Sequence, residues 1–189
     1  MARVTTPWDE STRPTAAGLG PTPPDAPGGA AGQHLLDVHD HYRAELAQLR
    51  DVLDQVRSGS MGAGAARSQL NAMAVRANTW VLGSVCQSYC LALTQHYSME
   101  DAAIFPHLGA QDHGLAAIVA RLGEEHQAIH ELLETVDSAL VGLVSDPGEL
   151  TGVQAAVDAL TEALLSHFAY EERELVGPLS QHGFYAGQL

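Results

Sequence analysis

Hydrophobic residues recur at intervals of three and four along most of the chain, a spacing that is typical of amphipathic helices. The first such series ends before a break rich in glycine and serine and consists of Leu35, Leu36, His39, Tyr42, Leu46, Leu49, Leu53 and Val56. Later series predict a second helix from about 65 to 99 or slightly beyond, and a third from about 115 to 144. Asp146-Pro147 predicts the start of a fourth helix, because aspartate is a common N-cap and proline a common first residue.

Strand-like alternation is absent, and the loops between the predicted helices are short. The pattern therefore predicts an all-α fold, an up-down-up-down four-helix bundle. Six of the nine prolines precede residue 31, in a stretch with almost no large apolar groups. Such a stretch buries too little surface to offset its ordering entropy, so we predict a disordered tail at 1–31 and the bundle at 32–185. Pro106 is expected to end the second helix.

The formal charge of −14, with nine arginines and no lysine, argues against nucleic acid and anionic membranes as partners. No apolar run approaches the roughly 20 residues that span a bilayer, and the first residues lack a signal pattern. We therefore expect a cytoplasmic protein. Cys86 and Cys90 stand four apart on a predicted helix, a separation that disfavours a disulfide, so reduced thiols are expected.

Each predicted helix carries histidine on its apolar face, and two of these histidines are followed by glutamate four residues later. Residues four apart on a helix lie on one face, about 5–6 Å apart, so each pair can reach a common ion. The candidate ligands are His39, His96, Glu100, His126, His130, His167 and Glu171. His41 and Glu45 repeat the spacing but fall on the polar face. The remaining histidines, at helix ends or in loops, are His34, His107, His113 and His182.

Glu172 competes with Glu171 for one ligand position. The interval from His167 to the next proline is one residue longer than the matching interval after His96. A local irregularity there could bring Glu172 to the metal, whereas helical phase favours Glu171.

Imidazole with carboxylate and no thiolate indicates Fe, Mn, Zn or Cu. The His-Glu-x-x-His motif of zinc proteases is absent, as is the Glu-x-x-His motif of ferritin-like carboxylate proteins. Two bridging glutamates and five histidines suit two ions. With a bridging oxygen, one ion is six-coordinate and the other five-coordinate, which leaves a position for a small ligand.

At these residues the chain resembles the hemerythrin family, in its cation-binding domains of the His-His-Glu type. The matching motifs are Val-His-Asp-His-Tyr-Arg around His39, the stretch from His96 to Pro106, Glu-Glu-His at His126, and His-Phe-Ala-Tyr-Glu-Glu from His167. The resemblance covers about 34–185. It implies a non-heme diiron centre, with two iron ions, whose terminal ligands are His39, His96, His126, His130 and His167 and whose bridging carboxylates are Glu100 and Glu171.

Such a centre favours a protein that binds or senses a small diatomic ligand, O2 or NO. The alternative is an enzyme that decomposes hydrogen peroxide or reduces NO or O2, and Tyr89, one heptad before His96, raises it. A third hypothesis is an iron buffer or an adaptor in which the metal serves stability. The partners we expect are thus a diatomic ligand or peroxide, with no nucleic acid and no membrane.

Overall fold

The computed structural model describes residues 8–16, 29–61, 84–145 and 150–184, and all regular structure within these ranges is helical. The π-helical turn Glu100–Ile104 lies between the α-helices Ser84–Met99 and Phe105–Gln111 and joins them without a break. Two 3₁₀ turns lie at Glu10–Thr12 and His113–Leu115. The α-helices are α1 Gly29–Arg57, α2 Ser84–Met99, α3 Phe105–Gln111, α4 Ala116–Ser145 and α5 Leu150–His182.

Helix α2, the π turn and α3 follow one another directly, and together they form one of the four arms of the bundle. The other three arms are α1, α4 and α5, and the four arms form the predicted four-helix bundle. Helices α1 and α4 both pack along α5, and α2 packs on α4. Gly32 allows α1 to approach α5 closely, since a Cβ at this position would lie 2.8 Å from the carbonyl oxygen of Val176.

Pro106 does not end the second helix, contrary to the sequence expectation, because the chain continues as helix to Gln111. Proline lacks an N–H and its ring crowds the preceding turn. Here that preceding turn is widened, and the N–H of Phe105 donates to the carbonyl of Glu100, five residues earlier. The wider turn accommodates the proline, and it begins at one of the candidate ligands.

Residues 8–16, which belong to the stretch 1–31 that the sequence predicts to be a disordered tail, lie against α4 and α5. Arg13 is buried and forms an ion pair with the equally buried Glu125. Helix α1 also begins at Gly29, inside the predicted tail. Composition counts large apolar groups and does not register contacts of this kind, in which a buried arginine holds the segment against the bundle.

Several predictions lie outside the described residues. These are the second helix before Ser84, the helix start at Asp146-Pro147, and the side chains of Cys86 and Cys90. None of the helices in the described ranges is long and apolar enough to cross a membrane.

The interior of the bundle contains two apolar clusters. The first cluster lies around Tyr42, Leu46, Leu93, Ile129, Leu164 and Phe168. The second cluster lies around Leu35, Ile104, Phe105, Leu122, Tyr170 and Leu175. Each of the four arms contributes to both clusters, so buried polar residues close to the change from one cluster to the other lie in the middle of the bundle.

Candidate metal centre

The buried histidines and glutamates occupy a polar layer between the two apolar clusters. In α1, His39 stands between Leu35 of the second cluster and Tyr42 of the first. In α4, His126 stands between Leu122 and Ile129 in the same way. The buried acidic and imidazole side chains of this layer are His39, Glu100, Glu125, His126, His167 and Glu171.

Six of the seven predicted ligands come together in two groups. The first group is His39, His96 and Glu100, and the second group is His126, His167 and Glu171. Within each group, one ligand atom from every residue lies within 4.8 Å of the others. Each group combines side chains from two arms, so the tertiary fold is needed to assemble either one.

The two glutamates contact both groups. Glu100 places Oε1 3.1 Å from His96 Nε2 in the first group and Oε2 3.5 Å from His126 Nε2 in the second. Glu171 Oε2 lies 3.5 Å from His39 Nε2 and 3.4 Å from His167 Nε2. Each carboxylate therefore stands where it can connect two ion positions.

The separations between donor atoms fit metal ions. Two donors that each lie about 2.1 Å from one ion, at an angle of about 90–110°, are about 3.0–3.4 Å apart. The Nε2 atoms of His39 and His96 are 3.3 Å apart, and those of His126 and His167 are 3.2 Å apart. Both oxygens of Glu100 and Oε2 of Glu171 are buried and accept no hydrogen bond from the described residues. A cation would satisfy these atoms.

Carboxylates orient three of the histidines from behind. The Nδ1 atom of His39 lies 2.9 Å from Glu172 Oε1, that of His126 lies 2.9 Å from Asp101 Oδ1, and that of His167 lies 3.1 Å from Glu125 Oε2. When Nδ1 donates to a carboxylate, the proton of a neutral ring is on Nδ1 and the lone pair of Nε2 is available to a metal. All three Nε2 atoms point into the layer.

Burial shifts the pKa values of the layer towards metal-binding forms for most of the histidines. It lowers the pKa of His96 to about 3 and also lowers the pKa values of His39 and His126. Burial, together with repulsion from Glu171, raises the pKa of Glu100 well above its usual value. Neutral imidazoles and crowded carboxylates together favour a cation over empty space.

His167 differs from the other histidines. Burial acts against its charged form, but the hydrogen bond with Glu125 and the nearby carboxylate of Glu171 outweigh burial and raise its pKa. The pKa of Glu171 falls to about 2, since the attraction of His167 and of the other histidines beside it overcomes burial. The layer therefore favours positive charge beside Glu125 and Glu171, and a metal ion would supply such a charge.

The structure does not bring His130 to either group. Its side chain is 48% exposed, and its Nδ1 lies 2.8 Å from the hydroxyl of Tyr97. On a helix, four residues advance the direction by about 40°. His126 already stands to one side of the line through Ile129, so His130 falls beyond the edge of the apolar face.

Between Glu171 and Glu172, the structure places Glu171 in the second group. Glu172 instead contacts the outer nitrogen of His39, and it forms an ion pair with Arg43 at 2.7 Å. The extra residue before the proline does not shift the phase at Glu171.

The supporting carboxylates were not predicted from the sequence, although a signal exists. Asp101 follows Glu100, Glu125 precedes His126, and Glu172 follows Glu171. Each one is the sequence neighbour of a ligand candidate but supports a histidine from a different arm. An acidic residue beside a candidate ligand is thus the pattern that could have found them.

The fold and this layer define a helical-bundle metal protein. A family model for the hemerythrin HHE cation binding domain matches residues 31–179, most of the chain. The chain belongs to this family and is accordingly a metal-binding helical protein. No match was found among curated proteins or among solved structures.

Proposed function

We propose that this protein binds two iron ions in the polar layer and uses them to bind or sense a small diatomic ligand, O2 or NO. The proposed ligands are the six side chains of the two groups, His39, His96, Glu100, His126, His167 and Glu171. Iron is the metal that membership of the hemerythrin family favours. When bound, iron supplies reversible one-electron chemistry and an affinity for diatomic molecules.

The observation that carries the proposal is the position of the two glutamates. Glu100 and Glu171 each approach histidines of both groups, and three of their buried oxygens accept no hydrogen bond from the described residues. A single ion would leave one of the two groups without a cation. Two ions, one in each group, would satisfy all three oxygens.

The number of donor atoms leaves room for an external ligand. Four imidazoles and the three buried carboxylate oxygens without a hydrogen-bond partner among the described residues supply seven donor atoms. Two six-coordinate ions take about twelve donors. The difference must be filled by water, oxide or a small molecule, which is what a ligand-binding site requires.

The surroundings of the layer favour a small uncharged ligand. The ring of Phe168 stacks on His39 with centroids 4.1 Å apart, and the ring of Phe105 stacks on His126 at 5.5 Å. Above and below, the two apolar clusters close the layer. A charged or large substrate would have to displace this packing, whereas a diatomic molecule would not.

Metal analysis with a matched pair of double variants tests the proposal. His96→Ala/Glu100→Ala removes a buried pair, while His41→Ala/Glu45→Ala removes a pair with the same spacing whose side chains are 68% and 36% exposed. We expect about two irons per chain in the wild type and the His41 control, and fewer than about one in the site variant. Zinc alone, or equal iron in both variants, would contradict the proposal.

Ligand binding is tested separately on the reduced, iron-loaded protein. Titration with O2 and with NO should produce a new absorption band that disappears when the gas is removed. Irreversible oxidation by O2 with no response to NO would count against binding or sensing.

An enzyme acting on peroxide, NO or O2 at the same centre is a second candidate, and the aromatic residues of the layer support it. Tyr97 stacks on His126 with ring centroids 5.2 Å apart, whereas Tyr89 contacts Tyr42 at 5.7 Å. Tyr97 is therefore a better candidate for a redox partner than the predicted Tyr89. Replacing Tyr97 with Phe should slow peroxide loss if the enzyme hypothesis holds, and Tyr89→Phe serves as the control.

A further inference from the structure

The segment Trp8–Ala16, defined here as the N-terminal strap, docks on the part of α5 that carries His167 and Glu171. The indole Nε1 of Trp8 donates to Ser166 Oγ at 3.2 Å. The hydroxyl of Tyr170 donates to the carbonyl of Pro14 at 2.8 Å. The N–H of Ala16 donates to Glu174 Oε2 at 2.7 Å. The strap thus holds α5 at both sides of the proposed ligands.

Arg13 is the inward-facing side chain of the strap. Its Nε and Nη2 donate to the two oxygens of Glu125, both at 2.8 Å. The guanidinium also stacks over the ring of Tyr170, 4.6 Å from the centroid. Bidentate arginine–carboxylate pairs fix the orientation of the carboxylate as well as its charge.

Glu125 connects the strap to the second group. Its Oε2 accepts from Arg13 Nη2 and lies 3.1 Å from His167 Nδ1. Its Oε1 also accepts from Arg121 Nε at 3.1 Å, and Arg121 is partly exposed. If Arg13 were absent, Arg121 would be the remaining cation that contacts Glu125. Arg121 binds Oε1, whereas His167 contacts Oε2.

The first group has a corresponding chain of contacts without the strap. Arg43 Nη2 lies 2.7 Å from Glu172 Oε1, which lies 2.9 Å from His39 Nδ1. The side chains of Arg43 and Glu172 are 28% and 20% exposed, whereas those of Arg13 and Glu125 are 2% and 1% exposed. The two Arg–Glu–His chains therefore differ in burial and in the origin of the arginine.

We propose that Arg13 is a positioning residue for the second group, through which docking of the N-terminal strap controls how firmly His167 holds a metal ion. The proposal rests on the function proposed above. With the strap docked, the fork of Arg13 holds Glu125 against His167 Nδ1, and Nε2 is directed into the layer. With the strap released, Glu125 can turn towards Arg121, and His167 loses the partner that orients it.

Release of iron from the full chain to a chelator, measured without oxygen, tests this proposal. The wild type should release its two ions in two phases, a fast phase from the first group and a slow phase from the second group. Arg13→Ala should accelerate the slow phase on the order of tenfold and leave the fast phase within about twofold, because the hydrogen-bond partners that orient metal ligands contribute about 10–100-fold to metal affinity. Arg13→Lys should fall between, since an ammonium cannot reproduce the fork.

Two controls separate positioning from general loosening. Arg43→Ala should accelerate the fast phase and leave the slow phase unchanged. Val157→Ala, a core truncation in the first cluster, should reduce the free energy of unfolding without a selective effect on the slow phase. An unchanged slow phase in Arg13→Ala, or equal acceleration in Arg13→Ala and Val157→Ala, would overturn the proposal. Wild-type protein that retains no iron would instead overturn the proposed function, and this inference with it.

Discussion

The two ligand groups differ most in what supports their histidines from behind. In the first group, Glu172 supports His39 at the protein surface, beside the partly exposed Arg43. In the second group, Glu125 supports His167 in the interior, and the buried Arg13 holds Glu125 through two hydrogen bonds. The same order of side chains, arginine to glutamate to histidine, is thus built once with a partly exposed arginine and glutamate and once entirely in the interior.

The difference in burial predicts a difference in rigidity. Exposed ion pairs contribute about 0–1 kcal/mol and rearrange easily. A buried pair is held by a low dielectric, and breaking it by removing one partner costs about 3–5 kcal/mol because a charge is left uncompensated. We therefore expect the first group to exchange its metal and open to ligands, while the second group stays fixed.

Loss of Glu100 should remove the difference between the two groups, because neither group should then retain its ion. The side chain contacts both groups, so Glu100→Gln should abolish binding of both ions. Without metal, this variant should be more stable than the wild type by about 1 kcal/mol or more, because a buried carboxylate without hydrogen bonds is replaced by a neutral amide. Metal content and urea denaturation of the chelated protein measure the two effects.

Glu124→Gln is the matched control for Glu100→Gln, since its carboxylate is 71% exposed and contacts Arg121 rather than the layer. It should change neither quantity. Retention of both ions by Glu100→Gln would show that this glutamate does not connect the groups.

Single histidine variants should separate the two groups. His96→Ala removes a ligand of the more exposed group, and about one iron per chain should remain after brief exposure to a chelator. His167→Ala removes a ligand of the second group. The iron that remains in the first group should be lost during the same exposure. Equal retention in the two variants would contradict a difference in rigidity.

The metal-free protein should lose stability as the pH falls from about 6.5 to about 5. The pKa values of His39, His96 and His126 are lowered in the folded protein. The unfolded chain therefore takes up more protons than the folded chain in this range, and the free energy of unfolding decreases as pH falls. Glu100 and His167, whose pKa values are raised, oppose these three histidines with one proton each.

Urea denaturation at several pH values, with and without iron, measures this dependence. Bound iron holds the histidines unprotonated, so the loaded protein should be more stable throughout, and its advantage should shrink at low pH as protons compete for the ligands. A metal-free protein whose stability rises towards pH 5 would contradict the predicted protonation states.

The smallest effect is expected at His130. Because its side chain is half-exposed and directed to Tyr97 rather than the layer, His130→Ala should change iron affinity by less than about twofold. His126→Ala, one turn earlier, should lower it far more. A similar loss in both variants would place His130 among the ligands after all.

Much of the fold could be predicted because helical periodicity is a local property. The spacing of apolar residues identified α1, α4 and α5 to within a few residues of their described ends, apart from the early start of α1 at Gly29. The prediction that Pro106 ends the second helix was wrong, because a proline predicts an end to regular α-helix but not the π turn that accommodates it. The contacts of the N-terminal strap were not predicted, because an ion pair and a few hydrogen bonds to distant residues leave no trace in composition.

For the candidate centre, the sequence by itself determined the residue types, the pairs four apart and the family. Phase along one helix identifies which side chains are near the core, but a residue at the edge of the apolar face, such as His130, has no defined environment until its neighbours are in place. Only the tertiary structure decided that Glu171 approaches His39, that Glu172 supports His39, and that Arg13 reaches Glu125. These contacts join residues more than a hundred positions apart, or from different helices, and no spacing along one helix encodes which partner a side chain meets.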